Sequence, residues 1–172
     1  MPITDRDVAT FARDCAAGRN PHGLQSIYNA GGNCWQSAVY CVHLAGAITQ
    51  ARYQTQRAQI VYNNFTSFIT LNDPIAPNAA MLRAVPQGHV LGFLEQKQTG
   101  WEIMHAMVSL GQGYAVGIAN GCINNAFTPA WSVIDVASRL NWVPATGHFN
   151  AYPPGAPIAR PIYIRHRSSV TL

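Results

Sequence analysis

The stretch Tyr28–Ile48, YNAGGNCWQSAVYCVHLAGAI, decides how this chain is read. From Cys34 onward its apolar residues recur at helical spacing: Cys34, Ala38, Cys41, Ala45 and Ile48 make one stripe, and Trp35, Val39 and Val42 the next. A helix apolar around most of its circumference belongs in the middle of a core. Ahead of it, Ala30-Gly31-Gly32-Asn33 lets neighbouring backbone approach closely and offers Asn33 as an N-cap. Cys34 therefore stands in the first turn of a buried helix, at the positive end of its dipole and beside free N–H groups, a setting that favours thiolate. The thiol is either core filling or a nucleophile.

Upstream, Thr4 is placed to cap a helix with Asp7 as the reciprocal partner. Val8, Phe11, Ala12 and Cys15 follow at helical spacing, Gly18 ends the run, and GRNPHG is a loop. Cys15 reads as a core thiol. Downstream, residues 50–70 continue in helical style, Asp73-Pro74 and Ala76-Pro77 break the chain, and a short helix fits around 78–84.

After VPQG the texture changes. HVLGFLE, WEIMHAMVSL, YAVGIAN and RPIYIRH read as strands, rich in β-branched and aromatic residues and bounded by turns. TPAWSVIDVASRL supports either a helix opening at Thr128-Pro129 or a strand over WSVIDV. Helices first and an antiparallel sheet second make an α+β layout in one domain, residues 1–172, with the helical part over about 1–84 and the sheet over about 85–172.

The bulk properties narrow the function. Only 10% of the 172 residues are charged and 48% are hydrophobic, which argues against disorder. The net charge of +4 comes from scattered arginines with no nucleic-acid motif, apart from ARPIYIRHR near the end. Lys97 is the single lysine; the scarcity is explained by genome composition or by action in a foreign cytosol, where lysine is the ubiquitin acceptor. No apolar run is long enough for a membrane span and no signal peptide is visible. The four cysteines show neither CxxC nor zinc spacing, so no cysteine zinc site is expected.

Gly111-Gln112-Gly113 joins two strands. With Gln112-Gly113 as a two-residue turn and Gly113 at positive φ, Gly111 pairs with Tyr114 and, counting inward, His105 lies opposite Asn120. Directly opposed residues share a face about 5 Å apart, within hydrogen-bonding reach for these two side chains. A three-residue turn would break that pairing, and Asp135 is then the alternative orienting residue. Cys34, His105 and Asn120 supply the parts of a thiol hydrolase: nucleophile, base, and an amide that fixes the imidazole tautomer.

GGNCWQSAVY resembles the nucleophile segment of papain-like cysteine proteases, and Asn-Cys-Trp is similar to that of viral papain-like leader proteases. HAMVSLGQGYAVGIAN resembles the family's later histidine strand and the Asn or Asp of the next strand. The order Cys, His, Asn is the family's order over Asn29–Asn120. The resemblance implies a papain-like fold, with N-terminal helices and a buried central helix packed on a C-terminal antiparallel sheet. It implies cleavage or deamidation of protein amides without a cofactor, with Asn29 or Gln25 joining the Cys34 N–H in holding the oxyanion. The family's oxyanion glutamine position is Tyr28 here, and its Ser-Trp after the Asn is Gly121-Cys122, leaving Trp101 or Trp131 to shield the pair. Among relatives of this kind the chain looks most like compact bacterial effector proteases and deamidases. That implies a secreted effector or toxin acting on a protein in a target or host cell, or otherwise a cytoplasmic protein, with a cognate inhibitor or immunity protein as partner. Nucleic acid and membrane-spanning partners are not expected. The alternative is a non-catalytic protein-binding domain with a hydrolase-like fold.

Overall fold

The computed structural model describes residues 1–19, 32–58, 73–74, 79–98, 100–118, 123, 130–151 and 160–172. Five helices and eight strands lie within them. The helices are α1 (Asp5–Ala16), α2 (Cys34–Leu44), α3 (Gln50–Ala58), α4 (Ala79–Ala84) and α5 (Val136–Arg139). The strands are β1 (Asp73–Pro74), β2 (His89–Lys97), β3 (Gly100–Gly111), β4 (Tyr114–Gly117), β5 (Ser132–Asp135), β6 (Asn141–Val143), β7 (His148–Ala151) and β8 (Arg160–Ser168). A 3₁₀ turn, Ser169–Thr171, follows β8.

The strands form one antiparallel half-barrel in the order β5-β4-β3-β2-β8-β7-β6, with β1 pairing β8. The α+β layout expected from the element order is what the structure has. No helix among the described residues is long and apolar enough to cross a membrane.

Both faces of the sheet are covered. On one, α1, α2 and α3 pack Val8, Ala12, Trp35, Ala38, Val39 and Tyr53 against Val90, Leu94, Ala106, Val108 and Leu110. On the other, Leu82, Val136 and Ala137 of α4 and α5 meet Leu91, Phe93, Met107, Phe149, Ile162 and Ile164. Strand alternation explains the split, because Ala106 and Val108 point one way and Met107 the other. Two buried tryptophans also satisfy their indole N–H groups: Trp35 donates to the Gln56 carbonyl at 2.8 Å and Trp131 to the Ala12 carbonyl at 3.0 Å.

The Thr4–Asp7 capping box is present, and Gly18 takes φ +73° just past α1. Asp5 ties α1 to the end of the chain. Its carboxylate accepts from Ser168 Oγ at 2.7 Å, Ser169 N at 2.8 Å and Val170 N at 3.3 Å. His89 Nε2 stands 3.5 Å from the same carboxylate, and His89 Nδ1 lies 2.8 Å from His166 Nδ1.

The ambiguous segment resolves into both readings in succession. Ser132–Asp135 pairs with β4, and Asp135 then caps the single turn of α5 through the Ser138 N–H at 3.1 Å. The sequence reading had no strands at Asn141–Val143 and His148–Ala151. They are three and four residues long and draw their stability from pairing beside β8 rather than from a pattern of their own. The helical continuation expected over residues 59–70 lies outside the described residues.

Candidate active site

Asn33 caps α2 as its sequence position implied: extended backbone, with its side chain accepting from Gln36 N at 2.9 Å. That starts the helix at Cys34 and aims the first free N–H groups at the thiol. The half-buried sulfur accepts from three backbone N–H groups, those of Ala106, Trp35 and Cys34 itself. The first comes from β3. The amide nitrogen of Ala106 is bonded to the carbonyl carbon of His105, so the thiol sits immediately beside the backbone of the histidine singled out from the sequence. β4 ends at Gly117, short of this part of β3.

Electrostatics here run against the expectation of a favoured thiolate. Burial pushes the Cys34 thiol up to about 11, and the three N–H groups only partly offset it. Removing a charge from water costs more than a helix N-terminus and one strand amide return. Among the other thiols, burial with help from Asp14 raises Cys15 to about 11, and burial raises Cys41 well above its ordinary value.

His105 is 1% exposed. It pairs across the strands with Phe93, whose ring centroid is 5.8 Å from the imidazole, and Phe93 belongs to the core on the sheet face away from α2. The imidazole therefore leaves β3 toward the second face, whereas the sulfur reaches the Ala106 N–H from the helical side. The two groups are neighbours through the backbone, while the contacts that set the thiol's pKa do not include the ring. A bulge between Phe93 and Leu94 shifts the β2–β3 register beside His105.

The hairpin that linked His105 to Asn120 is right at its turn and different inside it. Gln112 and Gly113 have φ +54° and +86°, and Gly111 pairs with Tyr114. Next, however, Ala115 faces Ser109, because Leu110 is an extra residue in β3. From there inward the ladder is one residue out of the register that would oppose His105 to Asn120, and a slip of one reverses which face a side chain takes. Asn120, like Asn29 and Gln25, lies outside the described residues. Asp135 is not brought to His105. It faces Tyr114 beside the turn, about 20 Å along the strands from His105 at about 3.3 Å per residue, and its carboxylate caps α5. Trp131 is anchored under α1 by its bond to Ala12.

Two polar groups near this end of the sheet were not marked in the sequence reading. The Gln56 carboxamide is fully buried, and neither its Nε2 nor its Oε1 has a partner among the described residues, although its own carbonyl holds the Trp35 indole. Arg165 of β8 carries a buried Nε with no partner among the described residues. Neither signal is visible without the tertiary packing. No group of three or more His, Cys, Asp or Glu among the described residues could hold a metal ion. Comparison with protein-family models, with curated proteins and with solved structures finds no match to this chain.

Proposed function

We propose that this protein is a papain-like cysteine hydrolase of protein amide bonds, with Cys34 as nucleophile and His105 as general base. The observation that carries the reading is the seat of the Cys34 sulfur: first residue of a capped, buried helix, held by N–H groups of Cys34, Trp35 and Ala106, next to the backbone of His105. In the reaction the sulfur attacks the amide carbon as its proton passes to the imidazole, and the carbonyl electron pair moves onto oxygen, held by the Cys34 N–H. Collapse of that intermediate expels the amine with the imidazolium proton and leaves a thioester. Water, deprotonated by the imidazole, attacks the thioester, releasing the acid and restoring the thiol. For the ring to meet the sulfur, the His105 Cβ must itself turn from the second face of β3 toward the helical side, which rotation about χ1 alone does not do. Asn120 is the orienting amide of the proposal, and Asn29 or Gln25 its second oxyanion donor. Cleavage and glutamine deamidation share this chemistry and differ in which amide enters. The biological setting that fits is an effector or toxin acting on a protein of a target cell.

A second reading, a non-catalytic protein-binding domain, is favoured by one observation: burial keeps the Cys34 thiol protonated, with its pKa near 11. Incubating a target-cell extract with the protein and with Cys34→Ala separates the two. New peptide N-termini, or a gain of about 1 Da where an amide becomes an acid, should appear with the native chain alone. His105→Ala should abolish the same signal, and the double variant should be no worse than either single one, because the two act as a unit. Identical peptide maps for native and Cys34→Ala protein would establish the binding domain instead.

A further inference from the structure

His89 opens β2, and His166 lies near the end of β8; their register partners are Ser168 and Leu91. The two imidazoles are therefore diagonal neighbours on one sheet face, within reach of each other for ring side chains. Their Nδ1 atoms are 2.8 Å apart while the ring centroids are 5.0 Å apart, so the nitrogens point at one another. A hydrogen bond of that length between two ring nitrogens takes one proton: one Nδ1 donates and the other accepts. A second proton would set N–H against N–H.

The pair closes a knot between three elements. His89 Nε2 faces the Asp5 carboxylate of α1 at 3.5 Å, and that carboxylate accepts from Ser168 Oγ, Ser169 N and Val170 N. Ser169 Oγ donates to the carbonyl of Gly88, the residue before His89. α1 lies so close there that a Cβ on Gly88 would collide with the Asp5 carbonyl. Beyond the knot, Leu172 is buried in the cluster that holds Trp35 and Ala38 of α2, and its carbonyl accepts from Arg52 of α3. The segment Ser168–Leu172 thus braces the helical layer.

The charges around the pair favour a first proton. Asp5 approaches from α1, and Asp73 of β1 is the direct register partner of His166. Arg165 and Arg167 flank His166 in the chain and take the opposite face, donating to the Ile164 and Thr171 carbonyls. Arg83 of α4 donates to the Gln112 carbonyl. β3 brings the apolar Met107 into the row of Leu91 and His166. An imidazolium at His89 has acceptors at both ends, Asp5 at Nε2 and the partner ring at Nδ1. Neither acid removes the conflict between two protons on facing nitrogens.

We propose that His89 and His166 form a proton-operated clasp: closed on one shared proton it holds Ser168–Leu172 against α1, and a second proton, bound below about pH 6, opens it and loosens that segment. The sign follows from counting protons. Once both imidazoles of the unfolded chain are charged, that chain binds one proton more than the closed pair does. The stabilisation is therefore complete above the imidazole range and is lost as pH falls through it. The unfolding constant grows about tenfold for each pH unit below about 6, until the rings part. In mild acid the helical layer that carries Cys34 loses a brace. The clasp does not involve the thiol, so it stands apart from the hydrolase reading.

The test follows the native protein from about pH 8 to about pH 5 by imidazole nitrogen NMR, amide hydrogen exchange and urea midpoints. The pair should take up its protons in two separate steps. The first should leave the Ser169 and Val170 amides protected. The second should coincide with a fall in their protection by about tenfold or more, while Val108 in the core of β3 stays protected. His166→Gln should be less stable than the native chain at about pH 8 and should lack the tenfold-per-unit loss in acid. His148→Gln, which removes an imidazole from β7, should keep that loss. Asp73→Asn should keep it too; its disappearance there would assign the acid response to that carboxylate and overturn the clasp. Should His166→Gln not fold, the native titration decides alone. Both rings charging in a single step near the ordinary imidazole value of about 6.5, with Ser169 and Val170 still protected at about pH 5, overturn the proposal.

Discussion

Gly113 lies in the turn of the hairpin that carries His105, and replacing it with alanine tests how that hairpin is held. Its φ is +86°, and a Cβ built there would stand 2.5 Å from Ala137 Cβ and 3.2 Å from Arg83 Cγ. The first contact is with the wall of α5 and cannot be relieved by a rotamer; the second is with a flexible stem. A non-glycine residue in the left-handed region costs about 1–2 kcal/mol. Forcing an extra methyl into closed packing adds about 1–3 kcal/mol. Gly113→Ala should therefore destabilise by about 2–5 kcal/mol, read as a fall in the urea midpoint at constant m-value. Gly111→Ala is the internal control. Its φ is +82°, but its Cβ would meet Gln87 Cβ at an ordinary 3.6 Å, so only the conformational part, about 1–2 kcal/mol, should appear. Ala137→Gly removes the opposing methyl. Combined with Gly113→Ala it should recover the steric part, giving a coupling of about 1–3 kcal/mol in the double-mutant cycle. Equal losses for Gly111→Ala and Gly113→Ala, with zero coupling to Ala137→Gly, would refute the close docking of this turn on α5.

Three further outcomes follow from the electrostatics and from the Asp5 hub. The folded-state pKa of the Cys34 thiol is raised to about 11, so its alkylation by iodoacetamide should climb about tenfold per pH unit through pH 9–10; a plateau reached by pH 8 would show a thiolate that this structure does not contain. The same raised pKa stabilises the fold fully below the unfolded thiol's value and is lost as pH rises through about 11, so Cys34→Ala should be less sensitive to alkali in a pH series of urea midpoints. Asp5→Ala removes the acceptor of three hydrogen bonds joining α1 to Ser168, Ser169 and Val170, and should cost about 2–4 kcal/mol; a loss under about 1 kcal/mol would show that these bonds break even with water.

Local sequence alone was enough to place most elements, because their signals are local. Thr4 with Asp7, Asn33 before Cys34, and Gln112-Gly113 each act within four residues, and each appears in the structure where the pattern put it. The order of helices and strands, and the buried stripe of α2, follow from periodicity in the same way. The site was legible only in its members that such signals reach. Cys34 was found as the first residue of a capped apolar helix. His105 was found as a polar residue in a strand, but its face was not, because face depends on register, and register was altered by a bulge at Leu110 that no composition rule marks.

What the tertiary structure alone decided are the quantities that depend on distant chain segments. The sequence put Cys34 at the positive end of a helix and pointed to thiolate; burial in the folded core reversed the sign by excluding water, and the Ala106 N–H, from a strand some seventy residues later, only partly offsets it. Asp135 looked free to orient an imidazole until β5 and α5 claimed it as a pairing residue and a cap. Arg165 belonged to an unremarkable basic stretch until strand pairing set it beside Gly92, in line with Ala106. Helix caps and tight turns are settled by neighbours in the chain; desolvation and cross-strand alignment are settled by partners that only folding brings into contact.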